Sequence, residues 1–483
     1  MSLKKRFTAV LLLGGLLAAE LFCGSRATVE HEKMGNRSAF FAKDTLYFWY
    51  TDEALTDFVN SAALEYYEKT GYRIVPKIQS GLEYLEAINE ASLRSDEIPD
   101  LYVTTNDTLE KAYLAGLASE IDGQNSVRDT SVFCQTAQDA VTYHGRQAGY
   151  PFYYETSFFL YNKTYLLDAA KAAIQAEADA KAGEEATAIL EDAGTEDTEA
   201  AVAAADAVEV PEYTDEELDA AAGERMKELL PDTIEDILTF SDHYDAPENV
   251  ESIFKWDVSD IFYNYFFVGN YMMTGGNTGD DAEQVNLNNA QTAACMQMYQ
   301  DLNQFFSIDA KEVSYDSILQ EFKEGKIIYT IATTDAIGKL EAAKEAGEFP
   351  YEYGVAVLPD INSELQTRSL SVTSAVVVNG YSEKKEIAND FARFLTEEKA
   401  DSLYERAGKV SAREGVPYEN QNVENCMEEY RDSISMPKMI ETSNFWVQLE
   451  IGFTRVWSGE DIQTVLDELD GQMREQLTGI QET

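Results

Sequence analysis

The stretch Gly149–Leu166, GYPFYYETSFFLYNKTYL, sets five tyrosines and three phenylalanines around a single acid, Glu155. Rings offer flat apolar shelves, and a carboxylate offers acceptors that can take two hydrogen bonds at once. That is the chemistry of holding a ligand. Catalysis has less to draw on. The chain has three histidines, His31, His144 and His243, far apart in sequence, and no GxSxG, no HExxH and no glycine loop ending in Lys-Ser/Thr. Its four cysteines, Cys23, Cys134, Cys295 and Cys426, include no CxxC, which argues against a metal cluster or a disulfide scaffold. One bridge among the last three stays open. No cofactor is expected.

The elements that must position such residues are legible in order. Thr45–Trp49 (TLYFW) reads as a strand. Leu55, Phe58, Val59, Ala62, Ala63, Tyr66 and Tyr67 follow at steps of three and four, one apolar helix face that Gly71 should end. Tyr72–Val75 is strand-like, a second helical pattern runs to about Arg94, and Leu101–Thr104 is the next strand. This β-α-β-α-β start predicts a mostly parallel sheet, with Trp49–Asp52 and Thr104–Asp107 at the strand ends where such sheets bind ligands. Ile327–Ala332, Gly354–Leu358 and Ala375–Val378 read as later strands, and the C-terminal third as helices.

Length and charge bound the class. The 483 residues are enough for two or more domains, and the net charge of −51 argues against nucleic acid and against anionic lipid as partners. Lys4, Lys5 and Arg6 precede the apolar run Phe7–Ala19, which is short for a membrane span and reads as a secretory signal. Two ends for it stand side by side: acylation of Cys23, preceded by the unfavourable Phe22, or cleavage after Ala27. Thr28–Lys43 is a polar tether. Asp168–Glu228 carries 19 Asp/Glu against 4 Lys/Arg in an alanine-rich background. It is expected to be an acidic insert, part helical and mobile, with a docking arm as the rival reading. Thr233 or Asp232 should cap the helix that follows.

Eight short patterns then line up. They are TGYRIV (Thr70–Val75), PDLYVTTNDTLEKAYLAGLASEID (Pro99–Asp122), GYPFYYETSFFLYNK, PDTIEDIL (Pro231–Leu238), FKEGK (Phe322–Lys326), GVAVLPD (Gly354–Asp360), Ala375–Thr396 ending in FLT, and MPKMIETSNFW (Met436–Trp446). Together they resemble the extracellular solute-binding proteins of ABC sugar importers, the maltose-binding-protein-like family. The resemblance implies an α/β, two-lobe, periplasmic-binding-protein-like fold of type II, its lobes joined by hinge crossovers. Lobe one would be 44–152 with 374–430 and lobe two 153–373 with 431–483, after a signal at 1–27 and a tether at 28–43. The insert at 168–231 falls outside the pattern.

Residue by residue, the resemblance places Glu155 at the hinge as a sugar ligand, Trp446 as a ring that stacks on sugar, Asp107 as a hydroxyl acceptor, and the neighbouring Asn106 as a further ligand-binding residue. Tyr50 and Asp52 follow the first strand, and Tyr263 and Asp335 lie where the family places cleft residues. Thr104 and the turn Thr333–Asp335 stand where the maltose binder has tryptophans, which points away from maltodextrin. The implied function is an extracellular carbohydrate receptor, not an enzyme. It would be secreted, at the cell surface or periplasmic, a monomer delivering its ligand to ABC permease subunits, with the membrane touched only through a lipid on Cys23. Alternatives are a sensor that presents its ligand, a binder of another solute on the same fold and, last, a glycoside hydrolase, for which abundant acids are no signal.

Overall fold

The computed structural model describes residues 44–478 apart from 82, 95–97, 122–125, 193–201, 203–206, 209, 211–212 and 440–443. The leader, Cys23 and the tether lie outside these residues. The chain begins with strand Thr45–Tyr50, helix Thr56–Thr70, strand Arg73–Ile78, helix Tyr84–Arg94 and strand Pro99–Thr105. Helix Thr56–Thr70 buries Phe58, Val59, Ala62, Ala63 and Tyr66, the stripe that its periodicity predicts. It stops at Gly71, whose φ of 80° few other residues tolerate and whose N–H is donated to the Tyr67 carbonyl.

Among the described residues, nine strands form one continuous sheet. Thr45–Tyr50 lies between Arg73–Ile78 and Pro99–Thr105, all parallel. Strand Leu370–Val378 then runs antiparallel to Pro99–Thr105 on one side and to the long strand Tyr150–Asn162 on the other. The far half of that long strand pairs with Ile327–Thr333 and with Tyr353–Ala356, and Ser252–Phe254 completes this side, parallel to Ile327–Thr333. Ile434–Ser435 adds a short third crossing beside Leu370–Val378. Two sheet-and-helix lobes are thus threaded on shared strands. Gly354, paired with Tyr161, has no room for a side chain, since a Cβ there would sit 2.1 Å from the tyrosine ring.

Strand alternation divides the core. Phe158 and Leu160 join the cluster that contains Phe48, Phe58, Phe152 and Phe391, through helix Gln421–Asp432. Phe159 and Tyr161 point the other way, into a second cluster around Trp256, Phe267, Tyr299, Phe453 and Trp457. Each such ring, withdrawn from water, contributes roughly 1.5–3 kcal/mol. Cys134, Cys295 and Cys426 are buried free thiols with no bridge among them.

The acidic segment contributes most of helix Lys163–Asp192 and all of helix Asp215–Lys227. The two pack through Ala170, Ala178, Ala222 and Met226, with ion pairs Lys171–Asp219 and Arg225–Glu177 along the seam. Thr214 and Glu217 form a reciprocal N-terminal capping box. Downstream, Thr233 rather than Asp232 caps Ile234–His243, its hydroxyl accepting from the Asp236 N–H.

Candidate functional site

The register of the crossover strands places the site. Thr105, the last residue of its parallel strand, lies opposite Ser374, which in turn lies opposite Tyr153. From the other lobe, Thr333 ends its strand opposite Ser157. Projected on the long strand, the carboxyl ends of parallel strands from both lobes therefore lie four residues apart, about 13 Å along it at 3.3 Å per residue, with Leu370–Val378 between it and the first of them. Glu155 is midway. Ligands of open α/β sheets bind at such strand ends.

On the first wall, Glu155 leaves 49% of its side chain exposed and faces the Lys409 ammonium at 3.4 Å. The same ammonium lies 2.9 Å from Asp52 and 5.3 Å above the Tyr153 ring. Burial alone would lower the Lys409 pKa; the Asp52 hydrogen bond, with the neighbouring Tyr153 and Glu155, raises it overall. Asp52 divides its carboxylate, one oxygen to Lys409 and the other accepting from the Ala54 N–H. Asp107, partly exposed after the strand, has no hydrogen-bond or ionic partner among the described residues. Tyr50 is buried and donates its hydroxyl to Thr56.

Asn106 has a different job from the one its position suggests. It is fully buried, donates to the Met436 carbonyl at 2.6 Å and accepts from the Thr373 N–H at 2.9 Å. Both ends of the amide are thereby engaged by the backbones of two other chain crossings, and none of its surface meets solvent.

On the second wall, Asp335 accepts from the Tyr315 and Thr333 hydroxyls and pairs with Lys339 at 2.7 Å. Burial would raise its pKa, but bonds from Lys339, Thr333 and Tyr315 outweigh it and hold the carboxyl below the usual range. Tyr263 is buried and stacks on Tyr315, centroids 4.9 Å apart, and burial raises its phenol pKa. Trp446 is half-buried on helix Phe445–Trp457, edge-on to the buried Tyr265 and beside Phe445.

The structure brings Asp52 and Glu155 together around Lys409, and Tyr263 and Asp335 together around Tyr315. Sequence reading missed both central residues. Lys409 sits in AGKVSAREG, a loop whose pattern carries no ligand signal, and Tyr315 reads as an ordinary first-turn helix residue. A separate cavity of about 720 Å³ is lined by Leu358, Arg368 and Glu429 among others and contains none of these residues. Among the described residues, no group of three or more His, Cys, Asp or Glu is placed to hold a metal ion.

The family model for bacterial extracellular solute-binding proteins matches residues 61–425 of the chain. The chain belongs to that family. No curated protein sequence matches this solute-binding protein. Solved structures do. The extracellular solute-binding protein from Staphylococcus aureus in complex with maltose superposes with a TM-score of 0.68 at 18% identity, over 92% of this chain and 99% of the other. A cyclo/maltodextrin-binding protein complexed with maltotetraose gives 0.68 and 18%, over 93% and 100%. A maltose-binding periplasmic protein from Listeria monocytogenes in complex with maltose gives 0.63 and 18%, over 90% and 98%. At this identity the likeness establishes the two-lobe fold of the solute-binding protein. No helix among its described residues is long and apolar enough to cross a membrane.

Proposed function

We propose that this protein captures a mono- or oligosaccharide outside the membrane and delivers it to the permease subunits of an ABC importer. The observation that carries the proposal is the convergence of strand ends from both lobes on Glu155. A sugar bound there would touch Asp107 from one lobe, Glu155 at the crossover between the lobes, and Trp446 from the other lobe. Contacts made on both sides only when the lobes are shut would drive closure, because a ligand shifts a conformational equilibrium by its differential affinity for the two states. The structural neighbours bound to maltose and maltotetraose support a sugar as the ligand class. The absence of tryptophan at Thr104 and in the turn Thr333–Asp335, where the maltose binder offers it, favours a sugar other than maltodextrin. Export through the leader, with a lipid on Cys23 or cleavage after Ala27, would place the receptor where such sugars are met.

Titration calorimetry against neutral glycans of different linkage tests this. A heat signal with one linkage class is expected, and Glu155→Ala and Trp446→Ala should each weaken it at least tenfold. Silence across the panel would defeat the carbohydrate reading. Normal binding by both variants would move the site elsewhere in the fold.

A further inference from the structure

The first wall of the cleft is unbalanced in its hydrogen bonding. Lys409 is the centre of it: its ammonium bridges Asp52 at 2.9 Å and Glu155 at 3.4 Å, with only 21% of the side chain exposed. The bridges engage one oxygen of each acid, and the other Asp52 oxygen is occupied by the Ala54 N–H. The second Glu155 oxygen and the whole Asp107 carboxylate have no partner among the described residues. A lysine ammonium has three N–H groups, so only one remains for a ligand. The wall thus presents three carboxylates against one ammonium that two of them already share. Across the cleft, Asp335 is matched by Lys339 and by two hydroxyls, while Asp257 and Asp260 near Tyr263 form no ion pair among the described residues, so that wall offers an anion no free cation either.

We propose that Lys409 is a positioning residue that aims Glu155 into the cleft and sets the charge class of the ligand, admitting neutral hydroxyl-bearing sugars and rejecting uronates and sugar phosphates. The inference rests on the carbohydrate reading above. An anionic sugar would bring charge to a surface whose open groups are acceptors, and like charges at close range are costly where water is excluded. A neutral sugar donates its hydroxyls to the same oxygens. With Lys409 removed, Glu155 and Asp52 lose their shared counter-charge, the pair repels, and the wall suits a cationic ligand better. The Tyr153 ring beneath the ammonium keeps it over the two acids rather than in solvent.

The test measures binding of the full-length mature protein to three probe sets: malto-, cello- and xylotetraose as neutral sugars, fully deacetylated chitotetraose as a cation, and tetragalacturonate as an anion. Wild type should bind a neutral probe at least thirtyfold more tightly than tetragalacturonate. Lys409→Met should weaken the neutral probe about tenfold and raise the cation-to-neutral ratio at least tenfold. Lys409→Arg should restore both to within about threefold. A purely structural lysine would lower all affinities together and leave the ratio unmoved. Preference for tetragalacturonate, or a ratio unchanged in Lys409→Met, overturns the inference. A second measurement needs no ligand: by NMR, the Lys409 ammonium should titrate lower in Glu155→Gln and in Asp52→Asn than in wild type, and equal titration in all three overturns the clamp. Wild-type silence toward every probe would instead count against the carbohydrate reading, with the lysine titration still deciding the clamp.

Discussion

Tyr154 and Tyr430 lie ring on ring, centroids 3.8 Å apart and planes 6° from parallel. The stack fixes the crossover strand to helix Gln421–Asp432 on the face opposite Glu155. One neighbour in the strand is therefore fully buried while the next reaches solvent. The two hydroxyls differ. Tyr430 shares a hydrogen bond with the Thr373 hydroxyl at 2.7 Å, whereas the Tyr154 hydroxyl is buried with no partner among the described residues.

That difference predicts opposite responses to removing one oxygen. Tyr430→Phe should cost about 1 kcal/mol, since it strands Thr373 as well as losing a bond. Tyr154→Phe should be neutral or stabilising, because it deletes a hydroxyl that is desolvated without return. Either residue changed to Ala should cost about 3–5 kcal/mol through the cavity left behind. Urea unfolding decides, and a Tyr154→Phe protein clearly weaker than wild type would contradict the unpaired hydroxyl.

Glu429 gives the fold a pH dependence of stated sign. Its carboxyl is buried, accepts from the Leu358 N–H at 2.7 Å, and burial pushes its pKa from the ordinary 4.5 up to about 7. Because the folded pKa lies above the unfolded one, its stabilising contribution is complete below about 4.5 and is lost as pH rises through about 7. The loss is about 3 kcal/mol for a shift of this size. Glu429→Gln should therefore melt at a temperature less sensitive to pH between 5 and 8, with the gap to wild type opening toward pH 8. Parallel melting curves for the two proteins would show that Glu429 is not the group responsible.

Asn106 and Asp107, neighbours in sequence, should separate stability from binding. Asn106→Ala leaves the Thr373 N–H and the Met436 carbonyl unanswered in a buried place and should cost about 1–3 kcal/mol. Asp107→Ala touches no described partner and should stay within about 0.5 kcal/mol of wild type. It should still weaken the neutral sugar identified by calorimetry about tenfold. If Asp107→Ala binds that sugar normally, the wall is shorter than proposed and ends at Glu155.

Much of the fold was legible because it is written in short-range pattern. The stripe on helix Thr56–Thr70 and its stop at Gly71 depend on residues three and four apart and on one left-handed glycine. The capping box at Thr233 depends on four consecutive residues. Parallel strand ends could be placed by the β-α-β order, which is why Asp52 and Asp107 could be set just past them. The same local reading could not tell an exposed acid from a buried amide one position away. It took Asn106 for a ligand group because the residues that claim it, Thr373 and Met436, lie 267 and 330 positions along the chain.

What the sequence by itself determined is the parallel β-α-β start, the apolar stripe of helix Thr56–Thr70 and its stop at Gly71. Those follow from backbone periodicity and from which side chains water rejects. Only the tertiary structure decided that Lys409 would stand between Asp52 and Glu155, that Tyr154 would lie on Tyr430, and that strand ends from both lobes would flank one glutamate. Such juxtapositions are set by sheet order and register, and register is fixed by the sum of pairings across distant segments rather than by any residue's near neighbours.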